Sequence, residues 1–212
     1  MGTIRKGILG GFSGKVGNVV GASWRGISYI RSLPQSVRNP RTAGQRSQRS
    51  KFALALALLK PMTSFLRTGW KLYAHRQSPF NAAMSHALAN AIVGTYPDYS
   101  VDVSKVLVSR GNLQSASSAT ATAAGGNLTF AWNDNSGIGS AKQTDKALIA
   151  VLNLEKGEAI TDTAGRERTE ETQTVVLPAD WSGDEVQAYL GFVSEDGREV
   201  SNSAYLGAIE IA

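Results

Sequence analysis

Residues 10–52 read GGFSGKVGNVVGASWRGISYIRSLPQSVRNPRTAGQRSQRSKF, and the composition of this stretch sets it apart from the rest of the chain. Its first part is rich in glycine, its second part is rich in arginine, and neither contains an acidic side chain. Residues 1–97 hold 14 of the 22 Lys and Arg and none of the 17 Asp and Glu, a net charge of +14. Residues 98–212 hold 8 basic and 17 acidic side chains, a net charge of −9. This contrast predicts two functional parts and an acidic partner for the first.

The glycine-rich part predicts a β-hairpin. Residues prone to β-structure stand between the glycines, and they predict strands at 15–20 and 27–32 with a turn at 22–25. A lone hairpin is only marginally stable in water, so we expect it to pair with another chain or to pack on the helices that follow. The side chains expected to form this assembly hairpin are Val19, Trp24, Ile27 and Tyr29.

The arginine-rich part predicts an anion-binding helix at 43–59, with Thr42 as its N-cap. Phe52, Leu56 and Leu59 recur as an apolar stripe, which would be the buried face. The predicted contacts to nucleic acid or another anion are Arg38, Arg41, Arg46, Arg49 and Lys51. Arginine makes bidentate contacts to both phosphate and carboxylate, so the anion is either a nucleic-acid backbone or the acidic half of another copy.

The predicted fold class is α+β in two domains. Residues 1–100 form a small basic region with the hairpin and about three helices, the later ones at 62–73 and 80–93, with Ser78 as an N-cap. A polar connector at 95–104 follows. Residues 105–212 alternate about seven short β-prone runs with turn clusters, which is typical of an immunoglobulin-like (Ig-like) or fibronectin-like β-sandwich.

No constellation of residues indicates catalysis, so we expect a protein that is not an enzyme. Lys15 follows Gly14 but precedes Val16, which departs from the phosphate-loop pattern. Neither His75 nor His86 has a further metal ligand at suitable spacing, so no metal or other cofactor is expected. The NDNSG sequence at 133–137 lacks the glutamate of a calcium loop and predicts a turn.

The apolar runs are too short for a secretory signal peptide or a membrane span. The predicted location is therefore the cytoplasm or a virion. The expected partners are further copies of the chain and nucleic acid, and no small-molecule substrate is indicated.

Seven segments spread over nearly the whole chain carry a family resemblance: GILGGFSGKVGNVVGASWRGISYIRSLP, NPRTAGQRSQRSKFAL, FNAAM, GTYPDYSVDVSKVLVSRGNL, FAWNDNSG, TDKA and SNSAYLG. Together they resemble an uncharacterised family of Bacteroidota proteins, a domain of unknown function. The NPRT segment is also similar to a pattern in phage-associated structural proteins, although Ala43 and Gly44 stand where that pattern has Pro and Ala. The resemblance implies no catalytic residue and favours an assembly role.

Three functions follow in order of preference. The first is a structural protein that self-assembles through its basic region and displays the sandwich, in a phage- or virion-associated setting. The second is a nucleic-acid-binding protein that contacts phosphates through the arginine-rich helix. The third is a surface- or carbohydrate-binding module that uses Trp132 or Trp181 in the sandwich loops.

Overall fold

The computed structural model describes residues 2–4, 10–24, 26–36, 39 and 41–211. Contacts within the chain define two compact units, Met1–Thr42 and Ala43–Ala212. The class is α+β with predominantly antiparallel sheets, as the sequence predicts. The predicted domain limits, 1–100 and 105–212, stay a prediction, and the three helices belong to the same compact unit as the later strands.

The first unit is a four-stranded antiparallel sheet, here called the N-terminal sheet, with the strand order β1-β2-β3-β4. Its strands are β1 Thr3–Ile4, β2 Phe12–Val16, β3 Val19–Trp24 and β4 Ile27–Ser32. The strand predicted at 27–32 is confirmed. The strand predicted at 15–20 and the turn at 22–25 are wrong, because Gly17 (φ 55°) turns the chain between β2 and β3, and Gly26 (φ 86°) turns it between β3 and β4.

The second unit begins with three α-helices: α1 Ala43–Leu59, α2 Thr63–Gly69 and α3 Pro79–Asn90. Helix α1 has its predicted bounds, and Ser78 caps α3 by accepting a hydrogen bond from the backbone N–H of Asn81 at 3.1 Å. The other two helices are shorter than predicted. The predicted connector at 95–104 is wrong as well, because β5 Ile92–Thr95 and β6 Asp98–Val101 form a hairpin there.

Seven strands follow within the described residues and form two antiparallel sheets. They are β7 Ser117–Ala124, β8 Asn127–Asn133, β9 Lys146–Asn153, β10 Glu158–Asp162, β11 Thr172–Val176, β12 Glu185–Val193 and β13 Ala204–Glu210. The sheet orders are β10-β9-β12-β13 and β11-β8-β7. The strand-rich character predicted for this half is confirmed.

Strand β9 is buried on both of its faces. Its side chains Ala147, Ile149 and Val151 pack in one core with residues of β8 and β12, between the two sheets. The alternate side chains of β9 pack in a second core with α1, α2 and α3; they are Leu148, Ala150 and Leu152. The second unit therefore has three layers: helices, a four-stranded sheet and a three-stranded sheet.

A fully buried ion pair joins the loops at one end of the two sheets. The guanidinium of Arg168 donates hydrogen bonds to the carboxylate of Asp145 at 3.1 Å and to the carbonyl of Gln114 at 3.0 Å. It also donates to the side-chain oxygen of Asn135, in the predicted NDNSG turn, at 2.5 Å. Both charged side chains are 0% exposed. The arginine therefore has partners for its charge and its donors, as buried charges require.

We predict that Arg168→Met lowers the free energy of unfolding by about 3–5 kcal/mol, because it leaves the buried carboxylate of Asp145 without its counter-charge. The matched control is Arg166→Met, which removes an exposed ion pair with Glu170 and should cost less than about 1 kcal/mol. Urea unfolding of both variants measures the difference. Equal costs for the two variants would contradict the buried placement of Arg168.

Candidate assembly surface

Apolar side chains on one face of the N-terminal sheet are exposed. The register places Trp24 opposite Ile27 and Ala22 opposite Tyr29, so these side chains lie on the same face. Trp24 is 61% exposed and Ile27 is 65% exposed. Three of the four predicted assembly residues, Trp24, Ile27 and Tyr29, thus share one face, and their role in assembly stays a prediction.

The opposite face of the N-terminal sheet is also apolar and exposed. Val19 lies opposite Val16, and Ile30 lies opposite Gly21. Ile30 is 64% exposed. Val19 therefore lies on the opposite face from the other three predicted assembly residues.

Strand β4 lies at one edge of the N-terminal sheet within the described residues, and all of its side chains are exposed. An edge strand offers unpaired backbone N–H and C=O groups to a further strand. The sheet thus combines three features that suit association: one open edge and two exposed apolar faces.

The charged side chains of this unit have one sign. Lys15 and Arg31 lie on the face that carries Trp24, because Lys15 pairs with Val20 and Val20 pairs with Arg31. No acidic residue occurs before Asp98 in the sequence. The surface is therefore apolar and positive, which favours an apolar and negative partner.

Three of the five predicted anion-binding residues lie on α1, and their role stays a prediction. Arg38 lies outside the described residues, and Arg41 belongs to the first unit. Arg46 and Arg49 are exposed on α1, one turn apart.

Lys51 lies on a different side of α1 from Arg46 and Arg49. Its ammonium group is 4.8 Å from the centre of the Tyr99 ring, and the hydroxyl of Ser47 is hydrogen-bonded to the hydroxyl of Tyr99 at 2.7 Å. This side of α1 faces β6. Successive helical residues differ by roughly 100° around the axis, so Lys51 is turned well away from Arg49.

The apolar stripe predicted for α1 is partly wrong. Leu59 is buried as predicted, but Phe52 and Leu56 are exposed, and the residues that pack into the core are Ala55, Leu58 and Leu59. The run FALALALL is apolar around most of the helix, so its pattern alone does not fix the buried side. Packing in the core that α1 shares with α2, α3 and β9 selects that side instead.

The described residues give no support to a metal site or to an exposed tryptophan platform. Across these ranges no group of three or more His, Asp or Glu side chains is arranged to hold a metal ion. Trp132 and Trp181 are both buried in the core between the sheets. Neither tryptophan can therefore form the surface platform of the third hypothesis.

The described part of the molecule is an α+β protein with a helical layer, two antiparallel sheets and a separate, exposed N-terminal sheet. The family model described as "Family of unknown function (DUF6266)" matches residues 11–207, and the chain belongs to this family. A comparison with curated proteins finds no match. Among the helices of the described ranges, none has the length and apolar character needed to cross a membrane.

Trp24 provides a fluorescent test of the exposed sheet. The other three tryptophans are Trp70, Trp132 and Trp181, and all are buried. We predict that acrylamide quenches one accessible component of the emission at high dilution, and that Trp24→Phe removes this component. The control Trp70→Phe should leave the accessible component in place. An unchanged accessible component in Trp24→Phe would show that the N-terminal sheet is covered within a single chain.

Proposed function

We propose that this chain is a non-enzymatic structural protein that assembles when the N-terminal sheet of one copy docks on the acidic half of a second copy. The observation that carries the proposal is the exposure of apolar side chains on both faces of a sheet that contains no acidic residue. Contiguous exposed apolar surface of this kind marks interaction sites in soluble proteins.

The sheet supplies two kinds of attraction. Burial of Trp24, Ile27 and Tyr29, which share one face, removes apolar area from water against a partner, at roughly 25 cal/mol per Å². The open edge of β4 can add a strand from the partner, which satisfies backbone groups and fixes the register. The buried apolar area contributes affinity, and the added strand fixes the orientation of the partner.

The charge distribution favours a second copy as the partner. Two N-terminal regions would repel each other, because residues 1–97 carry a net charge of +14. Residues 98–212 carry −9 and provide the opposite charge on every copy. A contact between different surfaces of identical chains is heterologous, so it builds rings or filaments rather than isolated two-fold dimers.

The strand order supports an Ig-like or fibronectin-like assignment for the sandwich. Counted from β7 to β13 as strands one to seven, the sheets contain strands one, two and five, and strands four, three, six and seven. Immunoglobulin constant domains place the fourth strand in the other sheet, and related sandwiches vary in this respect. The similarity of the NPRT segment to phage-associated structural proteins suggests a virion-type setting for the assembly.

We predict that the wild-type chain is oligomeric at micromolar concentration and that Ile27→Ser weakens the association at least about tenfold, because it removes an exposed apolar contact of the size expected for one buried Ile. The matched control is Leu72→Ser, which changes an exposed apolar side chain outside the N-terminal sheet. Size-exclusion chromatography with light scattering measures the mass over a concentration series.

Two further measurements test the same proposal. Trp24 should become protected from acrylamide as the mass rises, and added salt should weaken the association because opposite charges contribute to it. A wild-type chain that remains monomeric at micromolar concentration would refute the assembly proposal. Equal effects of Ile27→Ser and Leu72→Ser would refute the role of the sheet.

Arg46 and Arg49 favour nucleic-acid binding as a second candidate function. Both side chains are exposed on α1, and the helix has no acidic residue in its first turn. Two arginines one turn apart can contact neighbouring phosphates. This candidate uses a different surface from the N-terminal sheet, so the two functions are separable by mutation.

For this second candidate we predict that Arg46→Gln combined with Arg49→Gln reduces the slope of log affinity against log salt by about 2, one unit for each lost phosphate contact. The control is Arg67→Gln with Arg76→Gln, which removes the same charge from exposed positions elsewhere. Fluorescence anisotropy with a labelled DNA duplex measures binding. A wild-type chain without detectable binding at low salt would eliminate the candidate.

A further inference from the structure

A pocket of about 310 Å³ lies beside α3, apart from the surfaces described above. Its walls come from the region of α2 and α3 and from Arg110, which follows the helical layer in the chain. The lining includes aromatic rings, small alanines and several polar side chains. The residues used below are Trp70, Tyr73, His86, Asn90 and Arg110.

Arg110 is held in place by its backbone and by two aromatic rings. Its backbone N–H donates a hydrogen bond to the carbonyl of Gly69 at 2.8 Å. Its guanidinium carbon lies 4.5 Å from the centre of the Tyr73 ring and 5.8 Å from that of Trp70. Packing against aromatic rings orients the planar guanidinium group without engaging its N–H donors in hydrogen bonds.

The guanidinium of Arg110 has no carboxylate at ion-pair distance among the described residues. The ion pairs found there join other side chains. The contrast with Arg168 is informative, because that buried arginine is matched by Asp145 and by two further oxygen acceptors. Arg110 is half-buried and lines the pocket.

His86 is a further polar group in the wall of the pocket that contains Arg110. His86 packs against Trp70 with ring centres 5.4 Å apart, and its Nδ1 atom is buried without a hydrogen-bond partner in the described residues. Burial and the nearby charge of Arg110 lower the pKa of His86.

We propose that this pocket binds a small organic carboxylate, with the guanidinium of Arg110 as the charged contact and the amide of Asn90 at the wall. A guanidinium fork matches the two oxygens of a carboxylate, and a single guanidinium matches a single negative charge. The aromatic and alanine lining favours a singly charged organic acid over a phosphate dianion, which costs more to remove from water. The volume is at the lower end of the range for ligand pockets, so the ligand is small.

The test uses the full chain and the two histidines as probes. The imidazole resonances of His86 and His75 are followed by NMR during titration with sodium benzoate, and separately with sodium acetate, sodium phosphate and sodium chloride at equal ionic strength. We expect a saturable shift of the His86 resonance with benzoate, because His86 lines the pocket, and no saturable shift of exposed His75. Arg110→Gln should weaken benzoate binding at least about tenfold, whereas the control Arg67→Gln should change it less than about twofold.

Each remaining outcome counts for or against the proposal. Arg110→Lys keeps the charge but loses the planar fork, and intermediate binding by this variant supports the proposal. A His86 shift that chloride reproduces overturns it, and this result does not depend on whether any variant folds. Equal or tighter binding of phosphate overturns the assignment to a carboxylate. Benzoate binding that is unchanged in folded Arg110→Gln also overturns it.

Discussion

The burial of β9 on both faces is the constraint on which the second unit depends. A strand with Leu148, Ala150 and Leu152 on one side and Ala147, Ile149 and Val151 on the other needs two apolar covers. The three-stranded sheet supplies one cover and the helices supply the other. Neighbouring β12 follows the same plan: Tyr189 points to the helical side, where its hydroxyl donates to the carbonyl of Val103 at 2.8 Å. The helices therefore share a core with the four-stranded sheet and are not an appendage to it.

The sequence predicted the elements whose local signals agree with their packing. Helix α1 and strand β4 have their predicted bounds, because strong helix formers and a β-prone run each lie between clear boundaries. The prediction failed where tertiary contacts compete with local preference. Residues 92–93 look like the end of α3, yet Ile92 and Val93 pair with β6 as a strand. The exposure of Phe52 has the same cause, because tertiary packing buries a different side of α1, the side that carries Ala55, Leu58 and Leu59.

Surface features were easier to predict than the polar side chains that need partners distant in sequence. The apolar, acid-free hairpin was visible in the order of the residues, and the structure leaves Trp24, Ile27 and Tyr29 exposed on one face. The pairing of Arg168 with Asp145 bridges 23 residues of chain, and the packing of Arg110 on Trp70 bridges 40. Neither spacing matches a short motif. Only the fold brings these side chains together, so no pattern in the sequence predicts either contact.

The shared core also limits how the gene for such a protein can be recombined. A self-contained domain can be inserted beside unrelated neighbours because it covers its own apolar surface. A copy of residues 105–212 alone would carry Leu148, Leu152 and Tyr189 into its new host without the helices that cover them. The compact unit that keeps this core covered is Ala43–Ala212. Inheritance as one long block, rather than as a helical piece and a strand-rich piece, is accordingly the pattern that the packing of β9 favours.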